Sequence, residues 1–194
     1  MIQTDKLLDA KGLACPMPIV RTKKAMQELQ PGQVIEVQAT DKGSLADMKA
    51  WAKSSGNQYL GTFEEGDVLK HYLRKADQSE EKEEVQFPHT VTNAELQDQL
   101  GREDVIVLDV REPAEYAFGH IEGSVSIPLG ELENRTAELD PEKEVVVICR
   151  TGNRSDFAAK QLAEKGFGRV KNAVEGMSQW DGATEQNKTT HKQL

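Results

Sequence analysis

The 194-residue sequence predicts an α/β protein in two units. The first is a two-layer βαβαββ sandwich, and the second is an α/β domain with a parallel sheet covered by helices. Three observations carry this reading. Residues 76–84, ADQSEEKEE, hold five acids, one Lys and no apolar side chain beyond Ala76. They bury nothing that offsets the entropy of ordering, so the segment 76–85 reads as a flexible acidic linker. Ahead of it, four strand-like and two helix-like segments share residues 1–75, an order most simply satisfied by helices on one face of a mixed sheet. After it, Val105–Leu108 and Val145–Ile148 are unbroken β-branched and aliphatic runs, as in strands of a parallel sheet buried on both faces.

Taken in order, Lys6 to Asp9 is the first strand. Ile19, Val20, Met26 and Leu29 have the spacing of one helix face, and Pro31-Gly32 ends that helix. Val34 to Val37 with Ala39 is a strand, Ser44 to Ser55 is a second helix stopped by Gly56, and Gln58 to Phe63 with Val68 to Leu73 form a hairpin. Beyond the linker, Thr92 followed three residues later by Glu95 is a capping box for a helix over Asn93 to Leu100. The helix leaving the second buried strand runs from Ser155 to Lys165, with Phe157, Ala158, Leu162 and Ala163 facing inward. Residues 183–194 lack apolar periodicity and read as a disordered tail, which leaves 86–182 as the second domain.

The chain carries 24 Lys and Arg against 33 Asp and Glu, a net charge of -9. Residues 1–75 hold 11 basic and 9 acidic side chains, and residues 85–194 hold 12 and 19. That balance excludes a generally basic nucleic-acid binder. No aliphatic run approaches the roughly 20 residues of a membrane span, and MIQTDKLLDAKG lacks the cationic and apolar blocks of a secretory signal. The expected location is the cytoplasm, with neither nucleic acid nor membrane as partner. Two cysteines, Cys15 and Cys149, are too few for a disulfide framework and lack the closely spaced partners of a zinc site. No metal is expected, and both read as free, working thiols.

Cys15 stands at the junction of a Gly-containing loop and a helix, with Pro16 suited to the first helical position. Pro16 and Pro18 have no N–H, so the helix end presents few donors, chiefly the amides of Met17 and Ile19, and these favour a thiolate. A small buried hydrophobe at a helix cap is the competing reading. The stretch LDAKGLACPMPIVRTKKAM, with CPMP at Cys15 to Pro18, resembles the TusA-like sulfur-carrier family (SirA/YedF group) over residues 5–75. The resemblance implies the two-layer βαβαββ fold and a carrier persulfide on Cys15. Some relatives have a second cysteine after the tryptophan of the second helix, whereas here Trp51 is followed by Ala52. The carrier chemistry does not need it.

Cys149 ends an aliphatic strand and opens CRTGNRS, so its sulfur lies over a strand-to-helix turn whose amides can converge on an anion. Arg150 and Arg154 add positive charge, Gly152 permits a left-handed backbone, and Ser155 can cap the following helix. The competing reading, a fifth core residue of the strand, fits poorly with Arg, Thr, Gly, Asn and Arg directly after it. Three segments, LDVREPAEYAFGHIEGSVSIPL at 108–129, CRTGNRS at 149–155 and VEGMSQW at 174–180, resemble a single-domain rhodanese. The resemblance implies a persulfide-bearing nucleophile at Cys149, with Arg150, Thr151, Gly152, Asn153 and Arg154 cradling the outer sulfur. It places Asp109 and Arg111 at a strand end bordering the site, where a structural salt bridge is an equal reading, and makes His120 a structural hydrogen-bonder. Glu122 and Glu175 stand where many relatives have Pro and Gly.

The function expected from two such thiols is a sulfurtransferase. Cys149 takes a sulfane sulfur from thiosulfate or a persulfide, relays it to or from Cys15, and passes it to an acceptor thiol or protein. The covalent persulfide serves in place of a cofactor. A ten-residue flexible linker spans about 17 Å root-mean-square, which lets the two thiols meet. Two alternatives use the same residues. Phosphatases and arsenate reductases of this fold use C-x5-R, but the spacing here is C-x4-R and no Asp general acid is recognisable. A non-catalytic regulatory module would not need the nucleophiles. The donor, the acceptor, the direction of transfer and the oligomeric state are not encoded in any motif.

Overall fold

In the computed structural model, which describes residues 2–76 and 87–187, the first strand-like stretch becomes β1, Lys6–Ala10. It pairs in parallel with β2, Val34–Ala39, through α1, Met17–Gln27. The helix α2, Ser44–Ser54, leads to the hairpin β3, Gln58–Glu65, and β4, Val68–Arg74. β4 inserts antiparallel beside β2, giving the order β1-β2-β4-β3. Both helices cover one face, where Ala25 and Met26 of α1 and Met48 and Ala52 of α2 meet Ile35, Val37 and Leu73 of the sheet. Each large aliphatic side chain buried there contributes roughly 1.5–3 kcal/mol.

The buried side of α1 differs from the expected one. Pro18, Thr22, Ala25 and Met26 face inward, while Val20 is 53% exposed. Thr22 can occupy a core position because its hydroxyl donates to the Pro18 carbonyl at 2.8 Å, so no polar atom is left unpaired. The helix also begins at Met17, with Pro16 as the residue preceding its first turn.

The chain divides into two compact units, Met1–Gln78 and Ser79–Leu194. The second is built on a five-stranded sheet, wholly parallel, in the order β5-β9-β8-β6-β7. Its elements are β5 (Thr90–Val91), α3 (Asn93–Gln97), β6 (Val105–Asp109), α4 (Pro113–Phe118), β7 (Val125–Ser126), α5 (Leu129–Arg135), β8 (Glu144–Ile148), α6 (Asn153–Glu164) and β9 (Val170–Ala173). The capping box of Thr92 and Glu95 is present, although α3 stops at Gln97.

Alternation along β8 feeds two cores. Val145 and Val147 pack with Ala158, Ala159 and Leu162 of α6, and Val146 and Ile148 pack on the opposite face with Leu96 and Ile121. The inward face of α6 is Ser155, Ala158, Ala159 and Leu162, spaced i, i+3, i+4, i+7, whereas Phe157 is 58% exposed and Ala163 is also exposed. An inward Phe157 would sit a third of a turn from that stripe.

The expected tail is ordered in its first part. Glu185 exchanges backbone hydrogen bonds with His120, and the Asn187 amide donates to the Ala117 carbonyl at 3.0 Å, so pairing with the α4 region supplies the order that apolar periodicity does not. The remainder of the tail, 188–194, and the linker from 77 to 85 lie outside the described residues.

Candidate functional site

Parallel pairing of β1 with β2 puts the ends Ala10 and Ala39 side by side, so the loops that follow them meet at one edge of the sheet. The Gly12 amide donates to Thr40 Oγ1 at 2.9 Å, and the Cys15 amide donates to Asp41 Oδ2 at 2.9 Å. Cys15 is exposed, and its thiol donates to Asp47 Oδ2 at 3.0 Å, Asp47 lying in the first turn of α2. This corrects the expected thiolate. The Met17 amide, expected to face the sulfur, donates to the Ala14 carbonyl at 2.9 Å. The hydrogen bond to Asp47, then desolvation, then the charges of Asp47 and Asp41 push the Cys15 thiol above its ordinary value. Two carboxylates outweigh the end of a helix.

Behind Asp41 lies a buried polar chain. Ser44 Oγ donates to the Asp41 carbonyl at 2.5 Å and sits 2.9 Å from His71 Nε2. The hydroxyl hydrogen is thereby committed, so Nε2 carries the imidazole proton and Nδ1 accepts from Thr62 Oγ1 at 2.7 Å. A proton on Nδ1 would break that arrangement, and burial, reinforced by the charge of Lys49, lowers the His71 value to about 4.

In the second unit, the alternation of β8 carries past its end and turns Cys149 to the α6 side, with 1% of its surface exposed. The Gly152 amide donates to Cys149 Sγ at 3.1 Å. Ser155 Oγ is 3.3 Å from the same sulfur and donates its hydrogen to Asn172 Oδ1 at 2.6 Å. In the thiol form the S–H therefore donates to Ser155. When the sulfur ionises, rotation of the hydroxyl gives it a second donor. The expectation that Ser155 caps α6 is corrected, because the preceding residue is Gly152 and the hydroxyl is used on the sulfur side.

The loop's carbonyls are drawn away from the sulfur. Cys149 O accepts from the Met177 amide at 2.8 Å, Arg150 O from the Ser178 amide at 2.9 Å, and Gly152 O from Asn172 Nδ2 at 3.1 Å. This clasp needs two glycines. Gly152 has φ +95° and a Cβ there would lie 2.5 Å from Val174 O, while Gly176 has φ +65° and a Cβ would lie 2.4 Å from Arg150 O. Arg150, Thr151 and Asn153 are half-buried in the loop.

Arg154 was expected to lend its charge to the sulfur. Its two terminal nitrogens donate to the Glu115 carboxylate at 2.8 and 3.0 Å, so its charge is shared with a buried acid. Asp109 and Arg111 form a buried fork-to-fork ion pair, Arg111 also donating to the Gly119 carbonyl at 2.7 Å. Asp109 is paired with Ile148 in the sheet register, so this ion pair braces the strand end beside the cysteine. His120 Nδ1 is 2.8 Å from the Tyr116 carbonyl and its ring stacks on Tyr116, a structural role. Glu175 accepts from the Asn93 amide at 2.6 Å.

Sequence reading missed Asp47, Glu115 and Asn172. Only Asn172 leaves a local trace, as a polar residue poorly suited to a strand yet wholly buried in β9. Among the described residues no helix is long and apolar enough to cross a membrane.

Two family models match the chain, Sulfurtransferase TusA over residues 6–75 and Rhodanese-like domain over residues 92–183. The chain is 49% identical over 185 residues, 95% of its own length and 100% of the relative's, to the "Putative sulfur carrier protein YrkF" of Bacillus subtilis. It is 31% identical over 97 residues, 50% of this chain and 91% of the relative, to the thiosulfate sulfurtransferase GlpE of Pseudoalteromonas translucida. A crystal structure of a rhodanese-related protein from Thermoplasma volcanium matches with a TM-score of 0.46 and 33% identity, covering 50% of this chain and 97% of that one.

Proposed function

This chain belongs to the family of proteins in which a TusA domain is followed by a rhodanese-like domain, and on that premise we propose a path for the sulfur atom. Its chemistry is sulfur transfer. Cys149 thiolate attacks the sulfane sulfur of thiosulfate. The S–S bond of the donor breaks, sulfite leaves with its electron pair, and the added sulfur stays on Cys149 as a persulfide anion. Cys15 then attacks that outer sulfur, restoring the Cys149 thiolate, and the loaded Cys15 yields the sulfur to an acceptor thiol.

The observation that carries this reading is the amide of Gly152 on Cys149 Sγ, in a loop whose carbonyls at 149, 150 and 152 are all engaged elsewhere. A loop that aims an amide at the sulfur and turns its carbonyls away favours negative charge on sulfur in both the thiolate and the persulfide. The direction from Cys149 to Cys15 rests on charge. Asp41 and Asp47 stand against Cys15 and repel a dianion such as thiosulfate.

The test is intact-mass analysis of wild type, Cys15→Ser and Cys149→Ser after exposure to thiosulfate, with cyanide-dependent turnover measured in parallel. The expected result is one added sulfur on Cys149 in the Cys15→Ser protein and no turnover in Cys149→Ser. Turnover by Cys149→Ser at the wild-type rate would refute the assignment. Hydrolysis of an aryl phosphate, lost in Cys149→Ser, would replace it with a phosphatase.

A further inference from the structure

We propose that Asp47 is the proton-transfer partner of Cys15, taking the thiol proton as the sulfur is loaded and returning it to the departing thiol. The inference rests on the carrier role of Cys15 given above and assigns to that site a residue thirty-two positions away.

The geometry is direct. The Cys15 thiol donates to Asp47 Oδ2 at 3.0 Å, and Asp41 is committed to two backbone amides, those of Cys15 at 2.9 Å and Gly43 at 3.1 Å. Asp41 therefore holds the loop and Asp47 holds the proton. Asp41 and Asp47 are the charged groups whose fields act on the sulfur, and both oppose ionisation.

A thiol kept protonated is a poor target for stray electrophiles, but it is intrinsically a stronger nucleophile once its proton goes, since nucleophilicity rises with basicity. A carboxylate in hydrogen-bond contact supplies that loss at the moment of bond formation. With a persulfide donor R–S–S–H, the Cys15 sulfur forms a bond to the terminal sulfur as its own proton passes to Asp47 Oδ2. The donor S–S bond breaks, its electron pair goes to R–S⁻, and Asp47 returns the proton to give R–S–H. One S–S bond is lost and one is made, and no external oxidant or reductant is needed. In the relay, the donor is the Cys149 persulfide once its outer sulfur has taken a proton from water, and R–S⁻ is Cys149.

The experiment uses the full chain carrying Cys149→Ser, so that Cys15 is the sole thiol, with and without Asp47→Asn. Two rates are measured across pH. One is alkylation by iodoacetamide, and the other is gain of a sulfur atom from glutathione persulfide, read by intact mass. Asp47→Asn is expected to alkylate severalfold faster near neutral pH, because the carboxylate that opposes ionisation is gone. It is expected to load sulfur at least about tenfold more slowly, because the group that returns the proton to the departing thiol is gone, a step that iodide as leaving group does not need. A merely structural Asp47 would move both rates the same way.

Equal or faster sulfur loading by Asp47→Asn overturns the proton-transfer role. So does an alkylation profile unchanged in pH, which would mean that Asp47 does not hold the thiol proton. If the chain with Asp47 intact gains no sulfur from glutathione persulfide, the carrier reading of Cys15 falls and this role falls with it. Asp47→Glu, which keeps the carboxylate, is expected to restore part of the loading rate.

Discussion

Replacing Gly152 by Ala isolates what the sulfur loop requires. The residue sits at φ +95°, and an added Cβ would lie 2.5 Å from the Val174 carbonyl oxygen, where ordinary contact begins at 3.4 Å. The left-handed backbone alone costs an L-residue about 1–2 kcal/mol. Overlap with a backbone atom that cannot rotate away adds about 1–3 kcal/mol, so the second unit should lose about 2–5 kcal/mol. Gly123 provides the control, with φ +75° and nothing within 4 Å of a Cβ, so Gly123→Ala should show the backbone cost without the overlap. The functional cost is separate. Relieving the overlap re-aims the amide that now donates to Cys149 Sγ at 3.1 Å, and a hydrogen bond to a charged group is worth about 1.5–3 kcal/mol. At 1.36 kcal/mol per decade, sulfur loading should slow about ten- to hundredfold. Stability is read from urea unfolding followed by Trp180 fluorescence in a Trp51→Phe background, and loading from single-turnover mass analysis. A Gly152→Ala protein as stable as Gly123→Ala, loading sulfur at the wild-type rate, would refute both the packing and the amide argument.

Other perturbations have equally definite outcomes. Glu115→Gln leaves the Arg154 guanidinium without its buried carboxylate and should destabilise the second unit by about 3–5 kcal/mol in urea, whereas Glu115→Leu with Arg154→Met should recover only part of the loss, since Glu115 also accepts from the Glu112 amide. His71 is held near 4 in the folded state against about 6.5 when unfolded, so the unfolded chain binds the extra proton between those values. Stability contributed by neutral His71 is therefore complete above about pH 6.5 and declines as pH falls toward 4, by up to about 3 kcal/mol. His71→Gln should flatten that slope relative to wild type in urea midpoints at pH 7 and pH 4.5, and an unchanged slope would show that burial does not govern this histidine. Asn172→Ala frees the Ser155 hydroxyl hydrogen and removes one of the two donors on the Gly152 carbonyl, so it should alter the pH profile of Cys149 alkylation more than Asn172→Gln does.

Local pattern revealed the parts whose causes are local. The aliphatic runs at Val105 and Val145 became neighbouring parallel strands, and Thr92 with Glu95 became a capping box, because strand burial and helix capping act within a few residues. The cysteine loop was legible because Gly152 and the residues around it form one turn. What escaped depends on residues brought together by topology. The Asp47 contact joins the loop ahead of one helix to the first turn of another, and Glu115 reaches Arg154 from a different helix. No periodicity signals such pairs, and charge summed by segment hid them, since the first unit is net basic while its thiol faces two acids. Val20 and Phe157 show a related failure. Both are apolar residues on helices, and only the neighbouring Thr22 and Ser155, with their hydroxyls satisfied internally, reveal which side turns inward.

The alternation along β8 divides mutational freedom within a single five-residue strand. Substitutions at Val146 and Ile148 fall on the layer containing Leu96 and Ile121, while those at Val145 and Val147 fall on the layer that also supports position 149. A lineage adapting to heat could therefore revise the even positions and reach the sulfur only through Met177, whose amide holds the Cys149 carbonyl. One adapting to a new donor would accumulate its changes at the odd ones, so the pattern of drift in this strand should record which pressure a descendant has met.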